Sequence, residues 1–174
     1  LLSALAGDKQ GASGITEPIS GADPSMMVTY AEERNGGYVI NGRKTFITGA
    51  DECDFMMIYA RLKGTTGRDG VTCFLVDSDS PGFKVERQIP VIAAPSGSLT
   101  EYPSEVVFED LEVPACNILG EPGHGWNILQ GSLGGIRLGF GARCLALSER
   151  CLAMARDYAL QRVPFGRPLA DRQA

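Results

Sequence analysis

Beyond Pro114 the spacing of apolar residues changes period, and this change constrains the fold more than any other feature. Leu129, Leu133, Ile136, Phe140, Cys144, Leu147, Cys151, Met154 and Tyr158 recur every three or four residues. That spacing predicts one apolar stripe on a long helix over about 125–161, with Pro164 as its stop and Cys144 and Cys151 in the core. A second helix is expected near Leu169. Residues 12–112 show no such period. They hold short β-rich runs punctuated by turn residues: Met26–Ala31, Tyr38–Ile40, Arg43–Thr48, Phe55–Ala60, Val71–Val76, Gly82–Val85 and Glu105–Phe108. Asn35-Gly36-Gly37 predicts a turn. Asn41-Gly42, between two β-rich runs, predicts a hairpin whose turn residues take positive φ. Strands at this spacing, with no helix between them, predict a barrel or sandwich. The fold class is thus a mainly β domain followed by a long α-helix, α+β overall.

Composition narrows the function classes. Hydrophobic residues are 44% and charged residues 21% of 174, which excludes a disordered, collagenous or coiled-coil chain. No apolar run approaches the ~20 residues that span a bilayer. Net charge is -5, which argues against general nucleic-acid binding. The charge is uneven: residues 1–136 carry 9 basic and 18 acidic side chains, residues 137–174 carry 7 arginines and 3 acids. An arginine-only tail suits forked contacts with phosphate or carboxylate. Five cysteines without a CxxC pair, and one histidine, His124, give no metal site and no disulfide framework. Gly131, Gly134, Gly135, Gly139 and Gly141 lie inside the helical pattern. No strand precedes them, so they read as close helix packing and not as a phosphate loop. The chain begins at Leu1 and ends at Ala174 without a helix stop, and is expected to be a piece of a longer protein.

Four segments carry a more specific signal. They are Ile15-Thr16-Glu17-Pro18-Ile19-Ser20-Gly21-Ala22-Asp23, Gly37 through Thr48 (GYVINGRKTFIT), Val107 through Pro114 (VFEDLEVP), and Tyr158 through Gly166 (YALQRVPFG) with Gln173. In this order they resemble the acyl-CoA dehydrogenase family across nearly the whole chain. The resemblance implies a three-domain flavoenzyme. Residues 1–11 would be a remnant of an N-terminal helical domain, 12–118 the middle β-barrel domain, and 125–174 the start of a C-terminal helical bundle.

It also implies FAD as cofactor, an acyl-CoA substrate, an electron-transfer flavoprotein as electron acceptor, and a homo-oligomer built as a dimer of dimers. The compartment would be the cytoplasm of a bacterium or the mitochondrial matrix of a eukaryote. Ser13, Ile15 and Thr16 would line the flavin, with the Thr16 hydroxyl near its reactive edge. Gly21 and Ala22 would let amides approach the pyrophosphate. Phe46, Ile47 and Thr48 would supply a stacking face and edge contacts. Arg162, with Phe165 and Gln173, would reach the FAD of a neighbouring subunit, and Arg137 would lie near the acyl-CoA pocket, where Ala22 also falls. Three positions depart from the family pattern: Ala22 replaces a usual serine, Gly134 an acid, and Ile136 the glutamate some members carry. The catalytic base is therefore expected beyond Ala174. The alternatives are a flavin monooxygenase or nitroalkane-oxidase-like member of the same fold, and a non-catalytic β-barrel binding module.

Overall fold

The computed structural model describes residues 2–92 and 102–172. The chain divides into two compact units, Leu1–Leu129 and Gln130–Ala174. In the first, a short helix α1 (Leu2–Ala6) precedes β1 (Gly11–Gly14), β2 (Tyr30–Arg34), β3 (Gly37–Ile47), β4 (Phe55–Leu62), β5 (Val71–Asp77), β6 (Phe83–Gln88), β7 (Ser104–Pro114) and β8 (Ile118–Leu119). They form one eight-stranded sheet ordered β6-β7-β3-β2-β4-β5-β8, with β1 parallel to β4 off that path. The path does not return on itself among the described strands, so the sheet is mainly β as expected but not closed into a barrel. Its core gathers inward side chains, among them Ile40, Met56, Ile58, Phe74, Val106, Phe108 and Leu111. Phe74 meets Tyr38 edge to face at 5.3 Å between ring centroids.

Local chemistry explains where the strands differ from expectation. The hairpin between β2 and β3 turns at Asn35-Gly36, both at positive φ (52° and 78°), with Arg34 opposite Gly37. That is the two-residue loop whose twist suits paired strands. Asn41-Gly42 is not a turn, because β3 continues through it, with a shift of its register against β7 between Ile40 and Gly42. Asn41 instead holds β7: its Nδ2 donates to Asp110 Oδ1 (3.1 Å) and its Oδ1 accepts from the Asp110 amide (2.9 Å). Gly42 is small because Thr29 crosses there, and an added Cβ would lie 2.5 Å from Thr29 Oγ1. The Met26–Ala31 run pairs only from Tyr30, since a 3-10 turn occupies Pro24–Met26 and the Val28 and Thr29 amides donate to Glu17.

The long helix α2 is Gly125–Gln161, and its first residues belong to the sheet unit. There the Gly123 amide donates to Thr72 Oγ1 (2.8 Å), and Leu129 is buried. In the second unit the helix keeps the expected stripe, but a second one runs opposite it. Leu138, Leu145, Leu152 and Leu160 lie about half a turn away from Phe140, Leu147 and Met154. Both sets are exposed. Cys144 and Cys151 are exposed as well and are not core residues. Among the described residues an added Cβ at Gly131, Gly134, Gly135, Gly139 or Gly141 meets nothing within 4 Å, so these glycines do not show the close packing expected of them. Past Pro164 the described residues form short 3-10 turns, at Pro164–Gly166 and Leu169–Asp171, and no second helix. None of the described helices is long and apolar enough to cross a membrane.

Candidate functional site

The site begins with a disruption of the central strand. Between Lys44 and Ile47 the pairing of β3 with β7 shifts register. At this bulge Phe46 takes φ +58°, a left-handed conformation that few aromatic residues adopt, and its ring is 57% exposed. Thr45 and Ile47 on either side are buried. A bulge that re-aims one large apolar side chain out of a sheet is a strained feature that a ligand or partner face would justify. Thr48, two residues on, is also exposed, whereas the Ile47 side chain lies in the core and leaves only its main chain for a ligand.

A second segment is fastened beside the bulge. The Thr45 amide donates to Thr16 O (2.9 Å). Glu17 and Ser20 close a tight turn through reciprocal amide-to-carbonyl bonds of 2.9 and 3.1 Å. This turn brings Gly21 back toward Thr16, where an added Cβ on Gly21 would lie 3.9 Å from the Thr16 methyl. Asp23 then starts the 3-10 turn by accepting from the Ser25 amide and hydroxyl, contacts that hold its carboxyl below the ordinary value. Arg61 of β4 anchors the far side by donating to Ser25 O (2.7 Å), Met27 O and Gly67 O.

The structure thus places Ile15-Thr16 and Gly21-Ala22 side by side as a rim, which Thr16 joins through the Thr45 amide to the strand segment that carries Phe46. Ser13 is half-buried on β1, paired with Met57. Among the described residues, the amides of Gly21 and Ala22 and the hydroxyls of Thr16 and Thr48 have no hydrogen-bond partner within the chain. The donor set therefore fits a flat cofactor with a polar edge and a phosphate tail. Of the four expected residues in the second unit, three are described. Arg137 is exposed on α2. The Arg162 amide donates to Tyr158 O, and its carbonyl accepts from the Leu169 amide. Phe165, 97% exposed at φ +54°, carries the Arg172 guanidinium 5.6 Å from its ring centroid. Gln173 lies outside the described residues.

Beneath the rim is a feature the motifs contain but do not explain. Lys44 Nζ donates to Glu17 Oε1 at 2.8 Å and to Ile15 O at 3.2 Å, and neither charged side chain has any exposed area. Glu17 also accepts from the Val28 amide (2.6 Å) and the Thr29 amide (3.1 Å). Burial alone would raise the Glu17 carboxyl. The Lys44 charge and these donors outweigh it and hold Glu17 below the ordinary carboxylate range. Burial pushes the Lys44 ammonium down to about 8 against the attraction of Glu17. Both groups are therefore charged near neutral pH. The one signal in the sequence was a lysine in a β-rich run with core residues around it, since lysines are almost never fully buried without a partner.

No group of three or more His, Cys, Asp or Glu among the described residues could hold a metal ion. Cys73 is fully buried, and burial pushes its thiol up to about 11, so it is no nucleophile at neutral pH.

The family model "Acyl-CoA dehydrogenase, middle domain" matches residues 12–110, and "Acyl-CoA dehydrogenase, C-terminal domain" matches 123–174. The chain belongs to the acyl-CoA dehydrogenase family. An acyl-CoA dehydrogenase of Bacillus subtilis (strain 168) is 38% identical over 167 residues, covering 96% of this chain and 43% of the relative. The solved structure of butyryl-CoA dehydrogenase from Megasphaera elsdenii superposes with TM-score 0.84 at 37% identity, covering 98% of this chain and 44% of that one. A structure of PigA with FAD and proline superposes with TM-score 0.87 at 32% identity, covering 98% and 44%. The chain spans less than half the length of the relatives it matches.

Proposed function

We propose that this chain forms the flavin-holding part of an acyl-CoA dehydrogenase that removes two hydrogens across the α and β carbons of an acyl-CoA thioester. One observation carries the reading: in a member of this family, an outward aromatic on a strained bulge shares a rim with unpartnered hydroxyls and amides. When bound, FAD supplies the acceptor for the β hydride. Thr16 donates its hydroxyl to the polar edge of the ring, where negative charge grows on reduction. Gly21 and Ala22 offer amides to the pyrophosphate. Phe46 covers an apolar face and keeps water off it.

Arg162, Phe165 and Gln173 extend to the cofactor of a neighbouring subunit in a homo-oligomer, with Arg137 near the thioester. An electron-transfer flavoprotein takes the electrons. The proton acceptor is not on this rim. A base for an α proton needs a carboxyl pKa raised toward neutrality, and Glu17 and Asp23 are both held low. The base comes from outside this chain.

The test mixes the full-length protein anaerobically with a panel of straight and branched acyl-CoA thioesters. Loss of the bound flavin's visible absorbance with formation of the enoyl product is the expected result. A flavin that no thioester reduces, or oxygen consumption that needs no added acceptor, would overturn the reading in favour of an oxygen-using member of the fold.

A further inference from the structure

We propose that the buried Glu17–Lys44 ion pair positions the flavin rim: it fixes the Ile15–Thr16 main chain at a set height beside the Phe46 bulge. This deepens the reading above and rests on it. The geometry is that of a clamp with three jaws. Lys44 sits on β3 two residues before Phe46 and reaches across to Glu17 Oε1 (2.8 Å) and Ile15 O (3.2 Å). Glu17, the residue after Thr16, accepts from the Val28 and Thr29 amides at 2.6 and 3.1 Å. The Thr45 amide to Thr16 O bond, 2.9 Å, closes the remaining gap between the two segments.

Thr16 is therefore one position from Glu17, and Phe46 two positions from Lys44, charged side chains with no exposed surface. A buried pair of this kind adds little net stability over an apolar pair of similar size, since two charges must be desolvated. What it adds is direction. Four fixed bonds from two side chains leave the Ile15–Glu17 backbone one height relative to β3, which apolar packing would not. Glu17 and Lys44 touch no ligand on this account. They act through Thr16 and Phe46 as positioning residues.

The experiment uses the full-length protein and three variants: Lys44→Met, Glu17→Gln and the double Glu17→Gln/Lys44→Met. Measured are the Kd for FAD, the visible circular dichroism of the bound flavin, its midpoint potential and Tm. The double variant, with no unpaired charge, is expected to keep Tm within a few degrees of wild type. It should nevertheless bind FAD at least tenfold more weakly, with an altered flavin dichroism and a shifted potential. A double variant matching wild type in Kd, dichroism and potential would overturn the inference. So would a double variant whose Tm falls in step with its flavin binding, since the pair would then be structural only. Wild-type protein that takes up no FAD would instead sink the functional reading. If Lys44→Met alone fails to fold, the double variant and Glu17→Gln still decide the question.

Discussion

The sheet and the long helix are built from equally apolar residues, yet they use them in opposite ways. In the sheet unit, alternation turns Ile58, Phe74, Val106 and Leu111 onto one core, where none has measurable exposure. In the helix unit, Leu138 is 79% exposed and Leu152 73%, and Phe140 and Leu147 on the other face are exposed as well. A helix apolar on two opposite sides is one that layers of protein cover on both. The sheet carries its own core, whereas both apolar faces of the helix are exposed among the described residues. That contrast matches the proposal that the chain works inside a longer, oligomeric enzyme, with the rim on the self-sufficient half and Arg162 and Phe165 on the dependent one.

The largest effect should separate the two regions directly. Phe74→Ala removes a buried ring packed against Tyr38 and is expected to cost about 3–5 kcal/mol. Leu145→Ala, on the exposed helix face, is expected to cost under ~0.5 kcal/mol in the 174-residue chain and about 2–4 kcal/mol in the full-length protein. Denaturant unfolding of both proteins measures this. Equal, small costs for Leu145→Ala in the two contexts would remove the idea that the helix face is half of an interface.

The next effect lies in the sheet unit and depends on pH. The Lys44 ammonium sits at about 8 in the fold against an ordinary 10.5. Between these values the unfolded chain binds more protons, so the stability from this residue rises with pH, by at most ~1.4 kcal/mol per unit. Below about pH 8 the cost of burying the charge is fully present. Glu17 behaves oppositely: its carboxyl is lowered, so its contribution holds at neutral pH and is lost as acid carries the pH through that lowered value. The unfolding free energy of wild type minus that of Lys44→Met should be flat from pH 7 to about 8 and then widen toward 10.5. A difference flat throughout would mean that Lys44 keeps its proton and is better compensated than its two bonds suggest.

A smaller effect tests the rim. Phe46 holds a left-handed conformation that costs a non-glycine residue roughly 1 kcal/mol. Asparagine tolerates it better, so Phe46→Asn should leave Tm unchanged or raise it by a few degrees while weakening FAD binding about tenfold. A variant that loses stability would place the ring among structural contacts and away from the ligand face.

These residues also show what a sequence can disclose. β4 and β5 were legible as runs of buried-strand length, and α2 from its period, because both signals are local. The Asn41-Gly42 pair misled because a glycine that admits a crossing segment and a glycine that makes a turn look alike in one dimension. Thr16, Gly21 and Phe46 were singled out through their motifs, and their role at a flavin is a proposal. Glu17 and Lys44 lay inside the same motifs without a role, since their bond spans 27 residues and only the folded chain shows that both are dry. The second apolar face of α2 was missed because one stripe already satisfied the expected pattern.

The helix glycines give the smallest effect and the sharpest test of the contrast. Gly134 sits mid-helix with open space around an added Cβ. Alanine there saves the conformational entropy that glycine loses on folding, so Gly134→Ala should stabilise the 174-residue chain by about 0.5–1 kcal/mol. The sign should reverse in the full-length protein if another layer packs against that face, because a methyl group would then have to displace it. Helicity and Tm of the same substitution in both contexts read the answer. A gain in both would mean that no layer packs at Gly134, although Gly134 lies on the same side of the helix as Leu138, Leu145 and Leu152.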